Sequence, residues 1–190
     1  MNRWTCGAAL ALCAGCGAGT VAPNAVNGSV SGYSLHARDG VSEVVQNAPS
    51  VSFAMVLVTS VSNACPLFSA GHMLRNDQTL LLRLATRTQN ETGPKTSPPA
   101  MVGEYPVVRE VATPSSGNFA VLDFVLVDAN CVASQTLESD AGKVTLTRID
   151  AKGYTGTFDV TFTSGDHVTG RFDTTDCPAL RPGSTPHTCQ

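Results

Sequence analysis

Residues 154–163 alternate strictly: Tyr154, Gly156, Phe158, Val160 and Phe162 share one parity, and Thr155, Thr157, Asp159, Thr161 and Thr163 share the other. Strand side chains point to opposite faces with period two, so this run makes one apolar and one polar face and does not suit a helix. The next segment repeats the pattern, with Val168, Gly170 and Phe172 against His167, Thr169, Arg171 and Asp173. Ser164-Gly165-Asp166 between them reads as a hairpin loop. The expected register sets Phe162 opposite Val168, Val160 opposite Gly170 and Phe158 opposite Phe172 on the buried face, with Asp159 opposite Arg171 outside. A one-residue slip would turn every Phe to water, so the assignment of faces is strongly fixed. Upstream, residues 143–149 supply a strand with Val144 and Leu146 inward, joined through Asp150-Ala151-Lys152-Gly153, which completes a three-strand meander.

Further strands are expected at 28–35, 41–45, 53–59, 78–86, 105–108 and 119–127. The runs Phe53-Ala54-Met55-Val56-Leu57-Val58, Leu80-Leu81-Leu82 and Val121-Leu122-Asp123-Phe124-Val125-Leu126-Val127 are apolar at both parities, so both of their faces should be covered. One short helix is expected over 63–70, with Ser62 or Asn63 as its cap, Pro66 in the first turn and Gly71 as its stop. It could cover one of those faces. Residues 88–102, rich in Pro, Gly, Thr and Asn, read as a long loop. The fold class is all-β, an antiparallel sandwich or barrel of about eight or nine strands with one short helix. Only 14% of residues are charged, too few for the exposed faces of a helical bundle, and the net charge of −3 argues against a nucleic-acid partner.

The N-terminus reads as an address. Met1-Asn2-Arg3-Trp4 is a short cationic opening before the apolar run Gly7-Ala8-Ala9-Leu10-Ala11-Leu12, and Cys13-Ala14-Gly15-Cys16 ends it. The run is shorter than the ~20 residues of a membrane-spanning helix. Its Ala-Gly-Cys ending resembles the bacterial lipobox, in which the cysteine is acylated and becomes the new N-terminus, with palmitate an expected acyl chain. Cys16 is then the lipidation site. Cys13 occupies the position where that motif most often has Leu. This divides the chain into a signal peptide at 1–15, a flexible tether at 16–25 and a single β domain at 26–190. Gly17 and Ala18 follow the anchor where an inner-membrane retention signal would have aspartate, so an outer-membrane destination is expected. Shedding Arg3 makes the mature chain one unit more acidic, and shedding Trp4 removes its only tryptophan.

Several motifs run through the domain: Asn63-Ala64-Cys65 after an apolar strand, Gly103-Glu104-Tyr105 before one, Asp128-Ala129-Asn130-Cys131 after another, and Gly142-Lys143-Val144-Thr145-Leu146-Thr147 leading into Gly156-Thr157-Phe158-Asp159-Val160-Thr161-Phe162. With the lipobox they resemble the small uncharacterised β-rich lipoproteins of myxobacteria. That resemblance implies location and fold, and no activity.

Of seven cysteines, Cys6 and Cys13 fall in the signal and Cys16 takes the lipid. Cys65, Cys131, Cys177 and Cys189 remain as disulfide candidates in an oxidising compartment, with three connectivities open. The preferred one joins Cys65 to Cys131 and Cys177 to Cys189. Zinc would require ligands closely paired in sequence, which the mature chain lacks, and no metal or other cofactor is expected.

No catalytic residues are assigned. Gly28-Ser29-Val30-Ser31-Gly32 places Val30 where a nucleophile elbow needs its serine. His36 near Asp39 and His167 beside Asp166 could serve acid–base or metal chemistry, but exposed loop polarity accounts for them better, as it does for His72 and His187. Asp123 and Arg83 interrupt apolar strands. They read as an ion pair between neighbouring strands or as two groups on a solvated face, or else Asp123 is a carboxylate of raised pKa in a ligand pocket. Tyr33, Tyr105 and Tyr154 could line a ligand mouth, although burial with the hydroxyl at a rim is commoner. The expected role is a non-enzymatic envelope or cell-surface interaction. Partners are the lipid membrane and a protein or a small apolar ligand. The alternatives are a barrel enclosing an apolar ligand in a cavity of ~300–1,000 Å³ lined by the inward Phe, Val and Leu set, and a secreted hydrolase.

Overall fold

The computed structural model describes residues 22–91, 93–181, 188 and 189. The proposed signal peptide and Cys16 lie outside them, as does His187. The strands are β1 (Ala25–Asn27), β2 (Asp39–Ala48), β3 (Val51–Thr59), β4 (Asp77–Asn90), β5 (Gly93–Ser97), β6 (Gly103–Pro106), β7 (Gly117–Val127), β8 (Ala133–Asp150), β9 (Gly153–Phe162), β10 (His167–Asp173) and β11 (Thr175–Asp176). They form one continuous sheet, curled into a half-barrel. Among the described residues one α-helix, α1, spans Ala64–Ser69.

β8 carries the architecture. Its first residues pair with β7 up to Glu138, and from Ser139 onward it pairs with β9. A bulge between Ser139 and Ala141 bends the strand at that changeover, and β6 enters against residues 143–146 where β7 has left. The expected meander is present as β8, β9 and β10.

Its register is shifted by two residues from the expected one. Val168 lies opposite Val160, Gly170 opposite Phe158, and Phe172 opposite Gly156. Both registers bury the same parity, so the alternation could not choose between them. What chooses is volume: each Phe ring lies across a glycine. A Cβ on Gly170 would stand 2.3 Å from Phe158 Cζ, and one on Gly156 2.8 Å from Phe172 Cζ. Asp159 therefore faces Thr169 rather than Arg171. Its carboxylate meets His167 Nε2 at 2.7 Å, whereas Arg171 Nε donates to the Ala22 carbonyl at 2.8 Å.

Three other expectations are corrected. Residues 28–35 are not a strand: Val30 and Tyr33 exchange backbone hydrogen bonds of 2.9 Å across Ser31 and Gly32, both at positive φ, which is a tight two-residue turn. Residues 88–102 are not a loop throughout, because β4 runs on to Asn90 and β5 returns against it from Gly93. Residues 22–25, placed in the tether, are docked on the domain, with Asn24 buried and its Oδ1 accepting the Asp173 N–H at 3.0 Å.

The inner face of the sheet packs into one cluster, including Ala54, Val56, Val58, Leu80, Leu82, Leu84, Leu122, Phe124, Val160 and Phe162, all at most 3% exposed. These side chains pack against one another. As the doubly apolar strands required, the outer face of β3, β4 and β7 is also partly covered. α1 shields one end, where Leu57 packs with Val41, Ala64, Leu67 and Phe68. The helix is capped from a distance: Asn63 is left-handed and makes no side-chain cap, and Asp39 Oδ2 accepts the Ala64 N–H at 2.8 Å instead. Such a cap is worth about 0.5–2 kcal/mol.

The cysteines pair as Cys65–Cys177 and Cys131–Cys189, which corrects the preferred connectivity. The reason is the course of the chain after β10. Thr174 hydrogen-bonds both Tyr154 and Ser42, β11 then adds in parallel to β2, and Cys177 N–H donates to the Ser42 carbonyl. That brings Cys177 beneath α1, where it is fully buried against Ala64 and Val41.

Candidate functional site

The half of the outer face that α1 leaves bare holds a groove of about 430 Å³. Its floor comes from one parity of three adjacent strands: Phe53 of β3, Arg83, Ala85 and Arg87 of β4, and Phe119 and Val121 of β7. β5 forms one wall through Pro94 and Thr96, and the segment around Glu110 and Thr113 forms another. Ala85, Phe119, Val121, Phe53 and Val108 make a small apolar cluster of their own beneath it.

Two arginines share the groove, four residues apart on β4 and therefore on one face. Their surroundings differ. Arg83 is forked: Nη1 and Nη2 donate to Glu110 at 2.9 and 3.0 Å, and Nη2 also reaches Asp123 Oδ2 at 2.7 Å. Burial alone would lower its pKa, but the Glu110 and Asp123 carboxylates outweigh that and hold it above the ordinary value. Glu110 is held below the usual carboxylate range by the Arg83 hydrogen bond and charge. Asp123 is shifted the other way. Burial pushes its pKa up, Arg83 offsets part of this, and the neighbouring Glu110 and Glu138 add to it. Glu138 stands directly across from Asp123 on β8 and accepts the Glu110 backbone N–H at 2.7 Å. Asp123 and Arg83 thus form the cross-strand pair, and the raised carboxylate pKa accompanies that pairing.

A pH effect follows. Because its folded pKa lies above the unfolded value, Asp123 favours the folded state at low pH, and that contribution is lost as pH rises through the folded pKa. The lowered carboxylates Glu110, Asp128, Asp150 and Asp166 act in the opposite sense, losing stabilisation on acidification. Asp123→Asn should therefore lose stability more steeply than the parent protein as pH falls across roughly 6 to 3, where carboxylates titrate. Urea midpoints measured along that range check it, and parallel profiles would refute the assignment.

Arg87 has no such partner. Its Nη1 donates to the Thr113 hydroxyl at 3.0 Å, and no carboxylate among the described residues pairs with it. The groove gathers further unmet polarity. Five buried side-chain N or O atoms among the described residues lack a hydrogen-bond partner, and three of them, Arg83 Nε, Arg87 Nε and Thr96 Oγ1, belong to residues lining this groove. Sequence reading did not single out Arg87. The signal available was its parity with Arg83 on a strand apolar at both faces.

The other sequence candidates do not converge. His167 pairs with Asp159 in full exposure rather than with Asp166, which instead accepts from Ser31 N–H at 2.7 Å and the Ser164 hydroxyl at 2.6 Å. Asp39 serves Ala64 and Gly40, and among the described residues no hydrogen bond or ion pair joins it or His167 to His36. Tyr105 and Tyr154 are buried in the inner core, with Tyr105 Oη donating to the Met101 carbonyl, whereas Tyr33 sits exposed in its turn. Burial raises the pKa of both buried phenols. Among the described residues no three His, Cys, Asp or Glu side chains are grouped to hold a metal ion. A second, smaller outer groove of about 260 Å³ lies against α1 between Leu57, Phe68, Leu81 and Val125, and the Arg83–Asp123 pair stands between the two.

In comparison with known proteins, the chain matches no family model, no curated protein and no solved structure.

Proposed function

We propose that this is a lipid-anchored protein of the bacterial cell envelope, held in the outer membrane through acylated Cys16, whose β domain acts by binding rather than by turnover. The observation that carries the reading is the cysteine pairing. Cys65, Cys131, Cys177 and Cys189 are all consumed in two disulfides, which belong to an oxidising compartment, and in the mature chain this leaves Cys16 as the unpaired thiol. A lipobox-like segment in front of that cysteine supplies the export route. The binding role is supported by where the open space lies. The inward Phe, Val and Leu set that a ligand-enclosing barrel would need is packed against itself, and the groove lies on the opposite face, open to a partner.

Expression of the complete chain in a Gram-negative host tests the anchor. The protein should sediment with outer-membrane fractions and show an intact mass in which residues 1–15 are replaced by acyl groups. Cys16→Ala should lose the acyl mass and leave those fractions. Unchanged attachment and mass in that variant would overturn the proposal.

A further inference from the structure

The outer groove combines an apolar floor with one uncompensated positive charge, and that pairing specifies a class of ligand. Arg83 is neutralised in place by Glu110 and Asp123, but Arg87 is half-buried and, among the described residues, is bonded only to a neutral hydroxyl, with a buried Nε–H that finds no acceptor. A buried or half-buried charge without a partner is costly, and unsatisfied polar atoms gathered around one cavity mark a place where a ligand can complete the hydrogen bonding. On the rung of Arg87 the β7 position is Gly117, which has no side chain to offer the guanidinium a partner. Phe53, Phe119 and Val121 supply the apolar surface next to it.

We propose that this groove binds a small monocarboxylic acid with an apolar tail, its carboxylate held by Arg87 and its tail lying on Phe53, Phe119 and Val121. A single negative charge is specified because Arg87 is the one cation here without a carboxylate partner among the described residues, while Glu110 on the facing wall repels a second charge. The volume suits a small molecule and is too small for a folded partner. The inference rests on reading the outer face as a binding surface, and it is independent of the anchor.

Isothermal titration of the purified full chain, with both disulfides formed, provides the test, using decanoate below its micellar concentration, 1-decanol and acetate as probes. Decanoate should bind saturably at one site, with 1-decanol and acetate each at least tenfold weaker. Arg87→Leu should weaken decanoate at least tenfold and leave 1-decanol unchanged. Val51→Asp, at an exposed position on the rim, should weaken decanoate severalfold by charge repulsion without touching the floor, and it keeps the test valid should Arg87→Leu fold poorly. Equal affinity for decanoate and 1-decanol would overturn the acid specificity while leaving a binding groove. Decanoate affinity unaltered in Arg87→Leu would remove Arg87 from the site. Absence of saturable binding by all three probes would overturn both the ligand class and the binding role of this face.

Discussion

Replacing Cys65 and Cys177 together by alanine should lower the free energy of unfolding by about 4–5 kcal/mol. The bridge closes a loop of 112 residues, and in the chain-entropy account a bridge over about 100 residues restricts the unfolded state by roughly 4.7 kcal/mol. A small domain has about 5–15 kcal/mol in total, so the variant should be marginal. The folded state loses as well, because Cys177 is fully buried in the small cluster that seats α1 on β2. Since the only tryptophan lies in the proposed leader, circular dichroism is the appropriate probe of urea unfolding. Peptide mapping without reduction should recover Cys65 linked to Cys177, and Cys65→Ala alone should free the thiol of Cys177. A free Cys131 in that variant, or a loss under 1 kcal/mol in the double variant, would contradict the pairing.

That pairing shows where sequence reading ends. The existence of β2, β3, β4, β7, β9 and β10 is written in alternation and in apolar runs, because burial on one or both faces is a local property of a strand. Which cysteines meet is not local. Cys177 reaches Cys65 only because Thr174 turns the chain from β10 to the edge of β2, and no residue near either cysteine announces that route. The β9–β10 register escapes local reading for a related reason. Two registers separated by two residues bury the same parity, and only the fit of Phe158 over Gly170 and Phe172 over Gly156 separates them. β5 carries no strand signal because Gly93-Pro94-Lys95-Thr96-Ser97 has loop composition, and its pairing with β4 is the whole of its strand character. The groove is hidden for the same reason, since β5 forms one of its walls. Only the pairing of β5 with β4 sets Thr96 opposite Arg87, and loop composition at 88–102 gives no sign of it. The Arg83–Asp123 pair was legible, since each interrupts an apolar run and the two strands are neighbours.

Gly142→Val should cost about 2–6 kcal/mol, for two reasons that can be separated. Gly142 lies just past the bulge where β8 exchanges β7 for β9, with φ at +125°, a region closed to valine at a cost of about 1–3 kcal/mol. A Cβ there would also stand 2.2 Å from the Asp159 carbonyl oxygen and 2.7 Å from Val160 Cα. Both are backbone atoms of β9 that cannot swing aside, and overpacking of this kind adds roughly 1–3 kcal/mol. The carbonyl of Gly142 accepts the Val107 N–H at 2.9 Å on the other side, so moving β8 away from β9 disturbs the segment that follows β6. Gly165→Val is the matched control: φ is +86° in the hairpin loop and a Cβ meets nothing within 4 Å, so only the dihedral penalty applies. Urea unfolding should therefore show Gly142→Val losing more than Gly165→Val by at least 1 kcal/mol. Equal losses would mean that Gly142 serves its dihedral alone, and that the close approach of the β9 backbone adds no cost.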